Sequence, residues 1–81
     1  MEYIATFHTH YDATRFFRRV RPLADVRMKP VPRALSSSCG TCVVFTAEGA
    51  ENLPLPGWAT DGAERIYRIE ASGYDLIFEE R

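Results

Sequence analysis

The chain opens with the pattern of a strand and continues with the pattern of a helix. Tyr3–Phe7 is rich in aromatic and β-branched residues and contains no breaker, which predicts a first strand. Thr9 is placed to cap a helix, and Asp12 three residues later completes a capping-box pattern. The apolar residues after this cap recur at the i, i+3, i+4, i+7 spacing of one helix face: Ala13, Phe16, Phe17 and Val20. Pro22 is expected to end this helix.

Two further strands are predicted on either side of a serine-rich loop. Val26–Lys29 alternates apolar and basic residues, as a half-exposed strand does, and Pro30 and Pro32 favour an edge position. Cys42–Thr46 is apolar on both faces, which indicates a central strand.

The C-terminal third begins with a broken segment. Residues 47–62 are rich in Gly and Pro, so we expect at most one short turn near Glu48–Leu53, with Trp58 folding back onto the core. Arg65–Glu70 is predicted as a fourth strand. After a turn at Ser72 and Gly73, Tyr74–Phe78 is predicted as a last strand or a tail segment.

This order of elements predicts an α+β fold. We expect a ferredoxin-like split β-α-β sandwich with a four-stranded antiparallel sheet and a degenerate second helix. A right-handed crossover makes the first two strands parallel, and the third strand then inserts antiparallel between them. The start of the third strand therefore lies where the first strand ends. This arrangement would bring Cys39 and Cys42 beside His8, Thr9 and the helix N-terminus.

Size and composition narrow the possible functions. The 81 residues fit one domain, residues 1–81, that is too small for a large active-site cavity. A net charge of −1 gives no overall field that would attract nucleic acid. No signal peptide or membrane-spanning run is recognisable, so we expect a cytoplasmic protein. In that reducing compartment two nearby cysteines suggest reactivity or metal binding rather than a structural bridge.

The loop Arg33–Cys42 contains the candidate chemistry. A thiol reacts as the thiolate, which is favoured near a helix N-terminus or a cation. Cys39 follows serines and precedes Gly40, and we predict that it is the functional cysteine. Cys42 opens a central strand and is either a buried core residue or a resolving partner for Cys39.

Three other residues of this loop are assigned supporting roles. Gly40 would allow close approach to whatever the Cys39 sulfur carries, and Ser38 would supply a hydroxyl donor. Arg33 is either an anion clamp at the loop entrance or an ordinary surface residue.

Two histidines flank the end of the first strand. With the cysteines, His8 and His10 could form a Cys₂His₂ zinc site. The spacing is not that of a zinc finger, and alternate residues at a strand end point in opposite directions. We therefore predict no metal and no other cofactor, and assign His8 to tuning the Cys39 thiol.

The charges are unevenly distributed along the chain. Seven of the ten basic residues lie between Arg15 and Arg33, and eight of the eleven acidic residues lie from Glu48 onward. The helix face with Arg15, Arg18 and Arg19 could be a solvated surface or a site for an acidic partner or RNA. No aromatic residue is recognised among these arginines, so nucleic acid is not an expected partner.

The residues around the loop resemble a known family. The segments Phe7–Ala13 and Pro30–Gly40, with Pro-Arg followed by Ser-Ser-Cys-Gly, resemble the selenium/sulfur carrier protein-like family. The resemblance covers roughly residues 2–46, with a weaker match at Glu64–Ile69. The resemblance implies a small cytoplasmic protein that carries sulfur or selenium on a cysteine. The family's cysteine matches Cys39, its strand-end histidine matches His8 and its loop arginine matches Arg33. Family members tend to have a full second helix where this chain has residues 47–62.

These observations lead to one predicted function and two alternatives. Cys39 would accept sulfur or selenium from a donor protein as a per(seleno)sulfide and pass it to an acceptor protein. The protein would then be a carrier more than a stand-alone enzyme. The alternatives are a dithiol redox module using Cys39 and Cys42, and a non-catalytic interaction domain using the basic helix face. Exposed edge strands and a thin core also make a homodimer a reasonable expectation.

Overall fold

The computed structural model describes residues 1–47, 55 and 57–80. Within these residues there are five strands and two helices, and the fold is α+β as predicted. The elements in chain order are β1 (Glu2–Thr6), α1 (His10–Val20), β2 (Val26–Pro30), β3 (Thr41–Thr46), α2 (Gly57–Thr60), β4 (Arg65–Glu70) and β5 (Gly73–Glu79). No helix in this described part of the chain has the length and apolar character needed to cross a bilayer.

The strands form one antiparallel sheet in the order β2-β3-β1-β4-β5. The predicted insertion of β3 between β1 and β2 is confirmed, and so is the edge position of β2. The predicted number of four strands is wrong, because Gly73 returns the chain at a φ of +143° and β5 pairs with β4 along its length. The ferredoxin-like assignment stays a prediction.

Helix α1 begins and ends where the sequence signals place it. The Thr9 side chain accepts a hydrogen bond from the Asp12 amide at 3.1 Å, so the predicted N-cap is confirmed. The helix ends at Val20, two residues before Pro22. Its apolar stripe packs on the sheet, with Ala13, Phe16 and Val20 buried and Phe17 half-buried.

Aromatic rings connect this helix to the sheet. Phe16 contacts Phe7 and Phe45 with ring centroids 5.2 Å and 5.6 Å apart, and Tyr3 stacks on Phe45 at 5.4 Å. Such pairs contribute about 0.5–1.5 kcal/mol each beyond the area they bury. Trp58 in α2 meets Phe45 edge-on at 5.7 Å, which confirms that it folds back onto the core.

A second, smaller apolar cluster lies on the opposite face of the sheet. It consists of Ile4, Cys42 and Val44, with Val31 and Leu35 packed against it. Because Cys42 to Phe45 are all buried, β3 is the central strand that its sequence indicates.

The second helix is degenerate, as predicted, since α2 has only four residues. The predicted turn near Glu48–Leu53 lies outside the described residues.

Candidate functional site

The sheet ladder brings an acidic residue to the end of β1. Thr6 pairs with Arg65, and the Glu64 amide donates to the Thr6 carbonyl at 2.7 Å. The Glu80 amide in turn donates to the Glu64 carbonyl at 2.9 Å, which extends the pairing of β4 and β5. Glu64 and Glu80 therefore lie next to His8, two residues beyond β1.

The serine loop is attached to this end of the sheet through Glu64. The Ser38 hydroxyl donates to Glu64 Oε2 at 2.5 Å, and the Ser38 amide donates to Glu64 Oε1 at 3.2 Å. The Ser37 hydroxyl lies 3.2 Å from the Phe7 carbonyl and 3.4 Å from Glu64 Oε1. Only 7% of Glu64 is exposed, so its charge depends on these donors in place of water.

His8 lies between two carboxylates. Its Nε2 is 2.6 Å from Glu80 Oε2, and its Nδ1 is 3.3 Å from Glu64 Oε2 and 3.4 Å from Ser38 Oγ. A carboxylate only accepts, so Nε2 must carry a proton. Nδ1 faces Glu64 as well, so both ring nitrogens lie beside carboxylates. This arrangement favours the imidazolium form of His8.

Both pKa shifts favour the charged forms, although they have opposite directions. The hydrogen bond to Glu80 raises the pKa of His8, with the nearby charge of Glu64 acting in the same direction against partial desolvation. Burial would raise the pKa of Glu64, but the hydrogen bonds from Ser38 and the charge of His8 outweigh burial and lower it.

The resulting arrangement differs from a catalytic triad. Ser38, His8 and Glu80 stand in the order nucleophile, base and orienting acid. However, the Ser38 hydroxyl donates to Glu64, and at 3.4 Å from His8 Nδ1 it makes its shorter hydrogen bond to the carboxylate. The cluster can hold the loop and bury charge, but it does not activate the serine.

Cys39 follows directly after the clamped serine. Its side chain is partly buried against the helix-side core, and Sγ lies 3.3 Å from the Thr41 carbonyl. The Cys39 amide donates to Ser37 Oγ at 3.4 Å. The Thr41 hydroxyl meets Nδ1 of His10, the first residue of α1, at 3.2 Å. The loop thus lies at the helix N-terminus, where the topology argument expected it.

Cys42 has a different environment. It is 0% exposed in the apolar cluster on the helix-free face, and burial raises the pKa of its thiol. Both cysteines are free thiols. Cys42 therefore has the buried core position that is one of the two alternatives predicted for it, while a resolving role for it stays a prediction.

The other predicted site residues lie at the edge of this cluster or away from it. Arg33 is exposed in a turn closed by the Leu35 amide and the Pro32 carbonyl, and no described residue bonds to its side chain. Thr9 is engaged as the helix cap. Gly40 has no positive φ, and a Cβ there would meet no atom within 4 Å, so the space beside it is open.

The two histidines of the Cys₂His₂ zinc site considered from the sequence face different residues. His8 faces the glutamates, whereas His10 faces Thr41. Across the described residues no three His, Cys, Asp or Glu side chains are arranged to hold a metal ion.

The basic helix face is smaller than the sequence indicates. Arg19 donates to the carbonyls of Trp58 and Asp61, both at 2.8 Å, so it joins α1 to the α2 region. The statement that no aromatic accompanies the arginines is wrong, because Arg15 lies 5.9 Å from the ring of Tyr11, which is 70% exposed. Spacing i, i+4 on a helix is the signal that was missed.

Sequence reasoning also missed Glu64 and Glu80. The available signal was topological, since a residue just before β4 must lie where β1 ends if the two strands pair antiparallel. Glu80 could be placed only after β5 was recognised as a strand.

The family comparison agrees with the resemblance noted in the sequence. The chain matches the family described as Putative Se/S carrier protein-like over residues 2–53, more than half of its length, and it belongs to this family. No curated protein and no solved structure matches the chain. His8, Ser38 and Cys39 lie inside the matched segment, whereas Glu64 and Glu80 lie outside it.

Proposed function

We propose that the protein carries sulfur or selenium on Cys39. The Cys39 thiolate attacks the terminal sulfur of a donor persulfide, R–S–SH, and a new S–S bond forms as the donor's S–S bond breaks. The donor leaves as the thiolate R–S⁻, and Cys39 holds the persulfide. An acceptor nucleophile then takes the terminal atom, and Cys39 leaves as a thiolate. Selenium follows the same sequence with a terminal selenium atom.

One observation supports this proposal most. Cys39 is a free thiol in a short surface loop that is fixed on both sides, by Ser38 on Glu64 and by Thr41 on His10. Transfer between proteins needs such a presented thiol and no deep cavity. An open hollow of about 230 Å³ lies beside His8 and Glu64. Membership of the carrier-like family points in the same direction.

The supporting residues have distinct roles in this proposal. His8 supplies a positive charge two residues after β1, and Ser38 holds the peptide that precedes the thiol. Gly40 leaves open space on the other side of Cys39 for the terminal atom or the partner. Thr9 keeps the first turn of α1 formed, and Arg33 is exposed for an anionic group of the partner.

The proposal extends to the protein as a whole. We place it in the cytoplasm as a single ferredoxin-like carrier domain, residues 1–81, which meets a donor and an acceptor protein. In this role it is a carrier more than an enzyme. A homodimer through an edge strand is compatible with transfer from the Cys39 loop.

A loading experiment tests the carrier role. The protein is incubated with a cysteine desulfurase and cysteine, and the mass gain is located by peptide mass spectrometry. We expect one sulfur on Cys39 and none on the buried Cys42. Cys39→Ser should lose the added sulfur, whereas Ser36→Ala, at an exposed residue of the same loop, should load like the wild type. Equal labelling of Cys39→Ser and the wild type would remove the carrier role.

A further inference from the structure

The five residues Ser37, Ser38, His8, Glu64 and Glu80 form what we call the Glu64 cluster. They come from four parts of the chain: the loop before β3, the end of β1, the start of β4 and the end of β5. The bonds within the cluster join the loop to the sheet. None of its members is a reacting atom in the proposed transfer.

We propose that Glu64 and His8 are positioning residues that hold the Cys39 loop in the conformation from which the thiol is presented. This inference rests on the proposed carrier function, because presentation has a purpose only if Cys39 transfers an atom. Neither side chain touches the transferred sulfur or selenium. Both act through Ser37 and Ser38.

The first argument is the short path from Glu64 to Cys39. Glu64 accepts both the amide and the hydroxyl of Ser38, the residue covalently before Cys39. The Ser37 hydroxyl accepts from the Cys39 amide and itself faces Glu64. One carboxylate therefore fixes both residues that precede the thiol.

The second argument is the burial of Glu64, because burial of a carboxylate costs hydration free energy that hydrogen-bond donors must offset. A carboxylate with 7% exposure loses most of its hydration and is stable only with several donors. The hydrogen-bond donors come from the loop and from His8, and the charge of Arg65 also favours the ionised carboxylate. A surface loop that needed no fixed conformation would not require a buried charge to hold it.

The third argument concerns the charges that face His8. Glu64 approaches from the start of β4, Glu80 from the residue after β5 and Asp12, at longer range, from α1. These acidic groups favour the imidazolium, whose two N–H groups connect Glu80 to Glu64. Deprotonation of His8 removes one of these two bonds and loosens the cluster beside Cys39.

A matched pair of serine variants tests the clamp. Ser38→Ala removes the hydroxyl on Glu64, whereas Ser36→Ala makes the same change at an exposed residue that forms no side-chain bond within the described part of the chain. We expect exchange of the Cys39 backbone amide to become about ten-fold faster in Ser38→Ala and to stay within about two-fold in Ser36→Ala. Transfer from the persulfide donor should slow about ten-fold in Ser38→Ala only. Equal amide exchange in both variants would overturn the inference.

The role of His8 is tested by a pH profile that a merely structural role would not produce. The transfer rate of the wild type is divided by that of His8→Gln at each pH. We expect the ratio to exceed one at acidic pH and to approach one as His8 loses its proton. Glu80→Gln should move this fall to lower pH, and the adjacent Glu79→Gln, whose carboxylate pairs with Arg65, should not. A ratio that does not change with pH would exclude His8 from positioning.

The two proposals can fail separately. If wild-type Cys39 accepts no sulfur or selenium while Ser38→Ala still accelerates amide exchange, the carrier function is wrong and the clamp on the loop stands. If Cys39 loads and every cluster variant loads at the wild-type rate, the positioning role is wrong and the carrier function stands. Circular dichroism of each variant identifies any that has lost its fold.

Discussion

A nearly buried carboxylate needs donors from the protein, and Glu64 obtains them from Ser38, Ser37 and His8. The geometry explains why a charged residue can sit at the end of the core. It also explains why the pKa of His8 is raised although the side chain is half exposed, since two acids lie beside it. The charge states of these residues depend on one another, so pH acts on them as a group.

This coupling predicts a pH dependence of stability. The pKa of His8 is raised above 6.5, so its contribution is complete below pH 6.5 and lost as pH rises through the higher folded value. The pKa of Glu64 is lowered below 4.5, so its contribution is present above pH 4.5 and lost as pH falls through the lower folded value. We therefore expect the Glu64 cluster to stabilise the fold most between pH 4.5 and 6.5.

Urea denaturation of two histidine variants measures this effect. Between about pH 5.5 and pH 8 the wild type should lose more free energy of unfolding than His8→Gln. His10→Gln, which changes a histidine bonded to the Thr41 hydroxyl, should keep the wild-type difference. Equal pH dependence in the wild type and His8→Gln would contradict the assignment of His8 as a cation.

At the residue scale the sequence predicted part of this site. It placed His8 near the cysteine loop, because the position of β3 between β1 and β2 follows from the handedness of the crossover. It did not find Glu64, since this residue follows the Pro- and Gly-rich stretch, where no element could be assigned. A buried acid is also rare enough that a single sequence gives no reason to expect one.

Arg19 shows how one residue joins two elements. Its guanidinium donates to the carbonyls of Trp58 and Asp61 and lies 5.3 Å from the Phe16 ring centroid. The short α2, with only four residues, cannot be stable by itself. Its attachment therefore depends on α1 and on the packing of Trp58 against Phe45.

We expect Arg19→Ala to lower the free energy of unfolding by about 1–2 kcal/mol, because two hydrogen bonds from a charged donor are lost. Arg18→Ala, one residue away on the exposed part of the helix, should change it by less than about 0.5 kcal/mol. Urea denaturation at one pH measures both values. An equal loss in the two variants would show that the bonds of Arg19 do not hold α2 in place.

At the scale of elements the strand number was the main error. The sequence of Tyr74–Phe78 does not alternate apolar and polar residues as a half-buried strand does. In the structure its large apolar residues, including Leu76, stay exposed. The register also shifts between Ile66 and Tyr67, which interrupts any regular pattern. β5 forms because Gly73 allows the turn, and it brings Glu80 to His8.

For the molecule as a whole, the sheet separates the two thiols. Cys39 packs with the helix-side cluster and Cys42 with the cluster on the other face. A disulfide needs the two Cβ atoms close together and directed toward each other. Cys42, at the start of β3, is fully buried in its own cluster, which disfavours such an approach.

We therefore expect no Cys39–Cys42 disulfide in the folded protein under mild oxidation. Glutathione disulfide should form a mixed disulfide on Cys39 only, and peptide mass spectrometry should find Cys42 as a free thiol until urea unfolds the chain. Rapid formation of the internal disulfide without loss of the circular dichroism spectrum would instead favour the dithiol redox alternative.

The Glu64 cluster also has a consequence for folding kinetics. Its bonds join residues separated by up to 72 positions, from His8 to Glu80, and they require that β1, β3, β4 and β5 have already paired. Contacts between such distant segments require the loops between them to close first. We therefore expect loss of the cluster that holds the Cys39 loop to speed opening of the fold more than it slows folding.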